Sequence, residues 1–199
     1  MIDVTQMKCV PDNVKRVIFA DTDALSSFLW RGRFGLFLKL FEKLQIEVVI
    51  PQVVLDELEY NKRTKERLAG PIKQLTKQGK LQIIDIEAGT AEYHTYLYLT
   101  EEEGMGKGEA AALSMAKHSE YIASVASNNL SDIWEYVEKN KIDLWTTARI
   151  IYECQLEEIM TKESAEQLWK KMVEDGDRLP FDNYNEYVKR KKGENKTRG

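Results

Sequence analysis

Val17-Ile18-Phe19-Ala20 runs directly into Asp21-Thr22-Asp23-Ala24-Leu25. Four consecutive apolar residues predict a short strand buried on both faces, the kind found inside a parallel sheet. An acid at the end of such a strand stands where open α/β sheets bind their ligands. Outward from this stretch, a helix is expected from about Ala24 to Trp30, broken by Arg31-Gly32-Arg33. Phe34, Phe37, Leu38, Phe41 and Leu44 then recur at helical spacing. Val48-Val49-Ile50 reads as a second strand stopped by Pro51, with helices over about 52–61 and 64–77, the latter ended by Gly79. Leu81–Ile84 reads as a third strand, Tyr121–Ala126 as a fourth and Ile142–Trp145 as a short fifth. Helices are expected over 91–103, 109–117, 147–156 and 162–175, and the last fifteen or so polar residues are expected to fray. Strands alternating with helices predict a three-layer α/β/α sandwich around a mostly parallel sheet of four to five strands.

Composition narrows the function classes. The 199 residues carry 29 Lys and Arg against 33 Asp and Glu, for a net charge of −4. From Lys189 onward six basic residues stand against one acidic, so the preceding chain carries −9. That is not a generic basic nucleic-acid binder, but an acidic site can meet nucleic acid when bound cations neutralise it. No apolar run approaches the ~18–20 residues of a membrane helix. The start of the chain lacks a basic-then-apolar leader, and Cys9 and Cys154 form no Cys-x-x-Cys. These features predict a cytoplasmic protein without a disulfide framework or a cysteine-built zinc site.

The chemistry-bearing residues fall at strand ends and at the helix starts next to them. Asp21 and Asp23 follow the first strand; Asn128, Asn129 and Asp132 follow the fourth. Glu57 lies in the helix launched after Pro51, and Glu109 opens the helix that leads into the fourth strand. In a parallel sheet these groups gather on one edge, where mutual repulsion calls for a divalent cation; an all-oxygen donor set suits Mg²⁺ or Mn²⁺. Plainer readings stay open beside this one. Asp21 or Asp23 can simply cap the following helix. Glu57 sits beside Asp56 and Glu59, and the apolar stripe of Val54, Leu55 and Leu58 does not select it as the inward acid. Glu109 is favoured in any first helical turn, and Asn128 and Asn129 are common turn residues.

In their order and spacing, four motifs resemble the PIN-domain family, in its bacterial, toxin-like subgroup. They are Val17–Leu25, Ile50-Pro51-Gln52-Val53-Val54-Leu55-Asp56-Glu57-Leu58, Gly106-Lys107-Gly108-Glu109-Ala110-Ala111-Ala112-Leu113, and the fourth strand with Ser127-Asn128-Asn129. The segment from Ile142 through Met160–Ala165 to Gly176-Asp177-Arg178-Leu179 is also similar to that subgroup's tail. The resemblance implies an irregular segment over 1–15, a PIN-like nuclease domain over 16–146, a helical extension packed on it over 147–192 and a flexible tail over 193–199. It implies a Mg²⁺- or Mn²⁺-dependent endoribonuclease that leaves a 5′ phosphate and a 3′ hydroxyl, and the toxin role of a toxin–antitoxin pair. Carried over by position, Asp21, Glu57 and Glu109 hold the metal. The fourth acid falls on Asn129, a departure from the family's usual Asp, with Asp132 three residues on as a substitute. The implied partners are RNA, with single-stranded DNA as the alternative, and an antitoxin-like protein; homodimerisation is left open.

Other readings compete. A catalytically silent PIN-like binding module is motivated by Asn129. The first motif also resembles that of haloacid-dehalogenase-type phosphatases, but Ala24-Leu25 stands where that family has Gly-Thr. Gly104-Met105-Gly106-Lys107-Gly108 lacks the phosphate-loop pattern and reads as a helix-to-helix turn. His94 and His118, the only histidines, have no ligand spacing, and Arg31, Arg33, Arg63 and Lys107 read as surface charge near the expected edge.

Overall fold

β1 (Arg16–Ala20) is the middle strand of a five-stranded sheet in the computed structural model, which describes residues 15–60 and 62–196, without the side chains of residues 63 and 194–196. Apart from Lys15, the segment 1–15 lies outside the described residues, as do residues 197–199 and the Arg63 side chain. The other strands are β2 (Glu47–Pro51), β3 (Gln82–Ile84), β4 (Ile122–Ala126) and β5 (Asp143–Trp145), in the order β3-β2-β1-β4-β5. Every neighbouring pair is parallel, so the expected mostly parallel sheet is parallel throughout. The register sets Ile18 beside Val48 and Ser124, and Ala20 beside Ala126. Strand order reverses at β1: β2 lies on one side and β4 on the other, which opens a crevice at their carboxyl ends. Pro51 closes β2 as its last residue, opposite Ile84.

The first compact unit ends at Trp145. Its helices are α1 (Thr22–Leu29), α2 (Phe34–Lys43), α3 (Gln52–Tyr60), α4 (Lys62–Thr64), α5 (Gly70–Lys77), α6 (Ala91–Leu97), α7 (Lys107–His118) and α8 (Leu130–Asn140). A π-helical turn, Lys65–Ala69, joins α4 to α5, and another, Tyr98–Glu102, extends α6. Alternation along the strands divides the core between two faces. Val17, Phe19, Val49 and Val125 pack with Ala110, Leu113, Ile133 and Val137 of α7 and α8. Elsewhere Phe37 is fully buried between Phe28, Phe34 and Phe41, with ring centroids 5.9, 5.3 and 4.7 Å away, and Phe41 meets Trp145 of β5 at 5.1 Å. α7 is buried along most of its length by alanines, whose small side chains let it lie close to β1, β2 and β4.

Two elements differ from the sequence expectation. α8 was not expected as a helix, although Leu130, Ile133, Trp134 and Val137 do recur at helical spacing; Leu130 and Trp134 are exposed, so only half of that stripe faces the core. The end of the chain does not fray over its described part but forms α11 (Tyr184–Lys196). In the second compact unit, which starts at Thr146, α9 (Thr147–Leu156) and α10 (Lys162–Glu174) are capped by the hydroxyls of Thr146 and Thr161. Trp169 of α10 stacks near Tyr184 and Tyr187 of α11 at 5.5 and 5.2 Å, and its indole N–H donates to the Phe181 carbonyl at 3.0 Å. Those aromatic anchors hold a helix whose remaining residues are mostly charged or polar.

Truncating Phe37 to Ala removes the ring shared by three other phenylalanines. The expected cost is about 3–5 kcal/mol of folding stability, read as a lower urea midpoint with an unchanged slope.

Candidate functional site

β1 delivers Asp21 to the crevice as the N-cap of α1. Its Oδ1 accepts the Ala24 N–H at 2.8 Å, which does the capping. Its Oδ2 is buried and has no hydrogen-bond partner among the described residues, and Asp21 is 1% exposed. A buried carboxylate oxygen without a donor favours the neutral form. Burial accordingly pushes the Asp21 carboxyl up to about 7; the Ser127 hydroxyl and the Ala24 N–H pull it back, while the charges of Asp23 and Glu109 push it further up. Asp23 does not cap α1. Its side chain is exposed, and its backbone carbonyl accepts the hydroxyls of Ser26 at 3.2 Å and Ser27 at 3.0 Å.

α3 carries Glu57 to the same crevice, where both of its oxygens are held. Oε2 accepts the Thr22 hydroxyl, and Oε1 accepts the Gly108 N–H at 3.2 Å. Glu57 thus ties the first turn of α1 to the first turn of α7, which the apolar stripe of its own helix could not have shown.

The two glycines before Glu109 have separate steric tasks. A Cβ on Gly108 would lie 3.0 Å from Glu57 Oε2, 3.1 Å from Thr22 Oγ1 and 3.3 Å from Val54 Cγ2. A Cβ on Gly106 would lie 2.8 Å from Glu109 Oε2. The Glu109 carboxylate folds back over Gly106, the N-cap of α7, in the manner of a capping box. Gly106-x-Gly108 is therefore more than the turn the sequence suggested: it makes room for two acids. Burial raises the Glu109 carboxyl above its ordinary range; the amide of Asn129 and the backbone at Gly106 oppose this, and Asp132 and Asp23 add to it.

β4 leads into Ser127, which is fully buried and accepts the Asn129 N–H at 3.3 Å. Asn129 is the N-cap of α8, yet its side chain makes no cap. Instead its Nδ2 donates to Glu109 Oε1 at 2.8 Å and to Asp132 Oδ2 at 2.7 Å, while its Oδ1 accepts the Ser131 hydroxyl at 3.0 Å. Asn128 turns away and donates to Ser27 Oγ at 3.2 Å.

Asp23 and Glu109 therefore act on Asp21, Glu109 is tied to Asn129 and Asp132, and Glu57 joins them through Thr22 and Gly108. Among the described residues, no three of His, Cys, Asp and Glu stand close enough to chelate an ion as they are placed. The donor set still fits a hard cation: it is all oxygen, it is acidic, and it contains one buried oxygen lacking any donor. Thr22, Ser127, Gly106 and Gly108 were not singled out from the sequence as site residues. The Gly-x-Gly spacing ahead of an acid was the available signal for the last two. Of the nearby cations, Arg31 is engaged with the Ser27 carbonyl at 2.7 Å, and Arg33 and Lys107 are exposed.

A family model, DUF3368, described as a PIN domain, matches residues 17–193. A search of curated proteins finds no match. Among solved structures the chain is similar to one described as VapBC2 from Rickettsia felis bound to a DNA fragment from their promoter, with 20% identity, a TM-score of 0.48 and coverage of 65% of this chain and 98% of that one. Among the described residues, no helix is long and apolar enough to cross a membrane.

Two outcomes follow from this geometry. In chelator-treated protein the folded state keeps a proton on Asp21 up to about pH 7, whereas an unfolded aspartate releases it near ~3.9. Between those values the folded state binds more protons, so stability falls as pH rises through 7, and Glu109 acts in the same direction. Asp21→Asn should flatten the fall in Tm between pH 5 and pH 7.5. Separately, Gly108→Ala should cost about 1–3 kcal/mol in urea unfolding, because its methyl meets Glu57, Thr22 and Val54 at once.

Proposed function

The chain belongs to the PIN-domain family, and on that premise we propose that it is a Mg²⁺- or Mn²⁺-dependent nuclease that hydrolyses phosphodiester bonds of RNA. The observation that carries this reading is Asp21 Oδ2, a buried carboxylate oxygen at the switch point of a parallel sheet that has no hydrogen-bond partner among the described residues. Burying that oxygen unpaired is costly, and a cation offsets the cost. Asp21 and Glu109 would hold the cation, with Glu57 and Asp23 as nearby acids. A bound divalent cation supplies Lewis-acid polarisation of the phosphoryl group and a more acidic water.

The chain's own groups take the remaining roles. Thr22 and Gly108 fix Glu57, so its charge stays at the crevice without free rotation. Glu109, raised above the usual carboxylate range, is suited to take a proton from the attacking water at its carboxylate oxygen. The product ends are a 5′ phosphate and a 3′ hydroxyl. The acidic crevice also suits a basic peptide segment of an antitoxin-like partner, which would suppress cleavage by occupying the same acids.

A second reading, a silent binding module, is favoured by one observation: the Asn129 amide already satisfies Glu109 and Asp132. Labelled single-stranded RNA and DNA, each with Mn²⁺, Mg²⁺ or EDTA, separate the two readings. Cleavage of RNA is expected with either cation and not with EDTA. Asp21→Ala should lower it at least about a hundredfold, since even groups one step removed from a metal are worth ten- to a hundredfold. Partner-free protein that cuts nothing would establish the silent module, and cutting only DNA would correct the substrate.

A further inference from the structure

The Asn129 amide occupies a position where two carboxylates converge. Its two N–H bonds are divided between Glu109 Oε1 at 2.8 Å and Asp132 Oδ2 at 2.7 Å. An ionised carboxylate accepts and never donates, so two of them can share a place only if a donor or a cation stands between them. The amide is that donor. It is also held in orientation, because its own oxygen accepts the Ser131 hydroxyl at 3.0 Å and its backbone N–H is fixed by Ser127 Oγ at 3.3 Å. The Ser131 hydroxyl also lies 2.8 Å from Asp132 Oδ1, so its one proton is shared between that oxygen and the amide's. At the other end of the crevice Asp21 Oδ2 is buried and has no hydrogen-bond partner among the described residues. One end of the acidic cluster is thus compensated by the protein itself, and the other is not.

We propose that Asn129 is a positioning residue whose amide replaces a cation between Glu109 and Asp132, so that this site takes a single divalent ion, at the Asp21 end. The inference rests on the cation-dependent reading above and deepens it. Asp132 is then a partner of the clamp rather than a ligand, and Glu109 is shared: one oxygen is fixed by Asn129, and the carboxylate is thereby kept at a set distance from Asp21. An acid at position 129 would remove the donor, add a third negative charge beside Glu109 and Asp132, and open a place for a second ion.

The test is a Mn²⁺ titration of the full chain, followed by calorimetry and by the electron paramagnetic resonance of free Mn²⁺, with Tm measured in chelator. Wild type should bind one ion. N129D should bind two, and its Tm in chelator should fall below that of wild type and recover when Mn²⁺ is added. D132N should still bind one ion with affinity within a factor of about three of wild type, because it changes only the far acceptor of the clamp. Circular dichroism checks that each variant is folded; if N129D is not, N129A and D132N carry the test, N129A being expected to lose Tm in chelator while keeping one ion. Two ions in wild type, a tenfold or greater loss of affinity in D132N, or a chelator Tm unchanged in both N129D and N129A would overturn the proposal. No Mn²⁺ bound by wild type would overturn the cation-dependent reading itself, an outcome distinct from finding two.

Discussion

The carboxylate of Asp21 has to sit where the first strand of the sheet ends, and water does not reach it there. One oxygen accepts an N–H at the start of a helix; the other has no hydrogen-bond partner among the described residues. Much of the surrounding arrangement can be understood as a response to that unmet demand. Helices begin directly after β1 and β2 and shortly after β4, so their N-termini, with their partial positive charge, face the same edge of the sheet. Hydroxyls of Thr22, Ser127 and Ser131 supply donors without bringing charge. Together these groups soften the repulsion among the acids, but among the described residues they leave Asp21 Oδ2 without a hydrogen bond.

The sequence made the architecture readable because each strand was short, apolar and followed by a helix signal. Val17–Ala20 could only be an interior strand, and the alternation after it implied parallel pairing. What stayed hidden had specific causes. α8 was missed because Leu130 and Trp134 face solvent, so its helical stripe does not coincide with a core face. α11 was missed because Tyr184 and Tyr187 are two apolar anchors in a charged run, and their value depends on Trp169, fifteen residues or more away in sequence.

The candidate site was legible in part. Strand ends pointed to Asp21, Asp23, Asn129 and Asp132 directly. Glu57 could not be chosen over Asp56 or Glu59 by periodicity, since the choice is made by Thr22 and by the N–H of Gly108, both remote in sequence. The family resemblance singled it out where helical spacing did not. Gly106 and Gly108 show the opposite limit: their spacing was visible, but its meaning was not. A glycine pair looks like a flexible turn until the acids that fill the missing side-chain space are placed.

The pairing of β1 with β4 has a consequence for the life of the chain before it is complete. Ser124 and Val17, joined across those strands, are 107 residues apart in sequence. One edge of the central strand therefore stays unpaired until residues 107 positions further along have been made. Residues 127–132, which complete the acidic edge, emerge later still. At ordinary rates of about 5–20 residues per second, a nascent chain spends several seconds with Asp21 in place and no β4 to close beside it. A ribosome-bound fragment ending before β4 thus carries the first acid but no assembled crevice, and a truncated product of the same length would lack that crevice for the same topological reason.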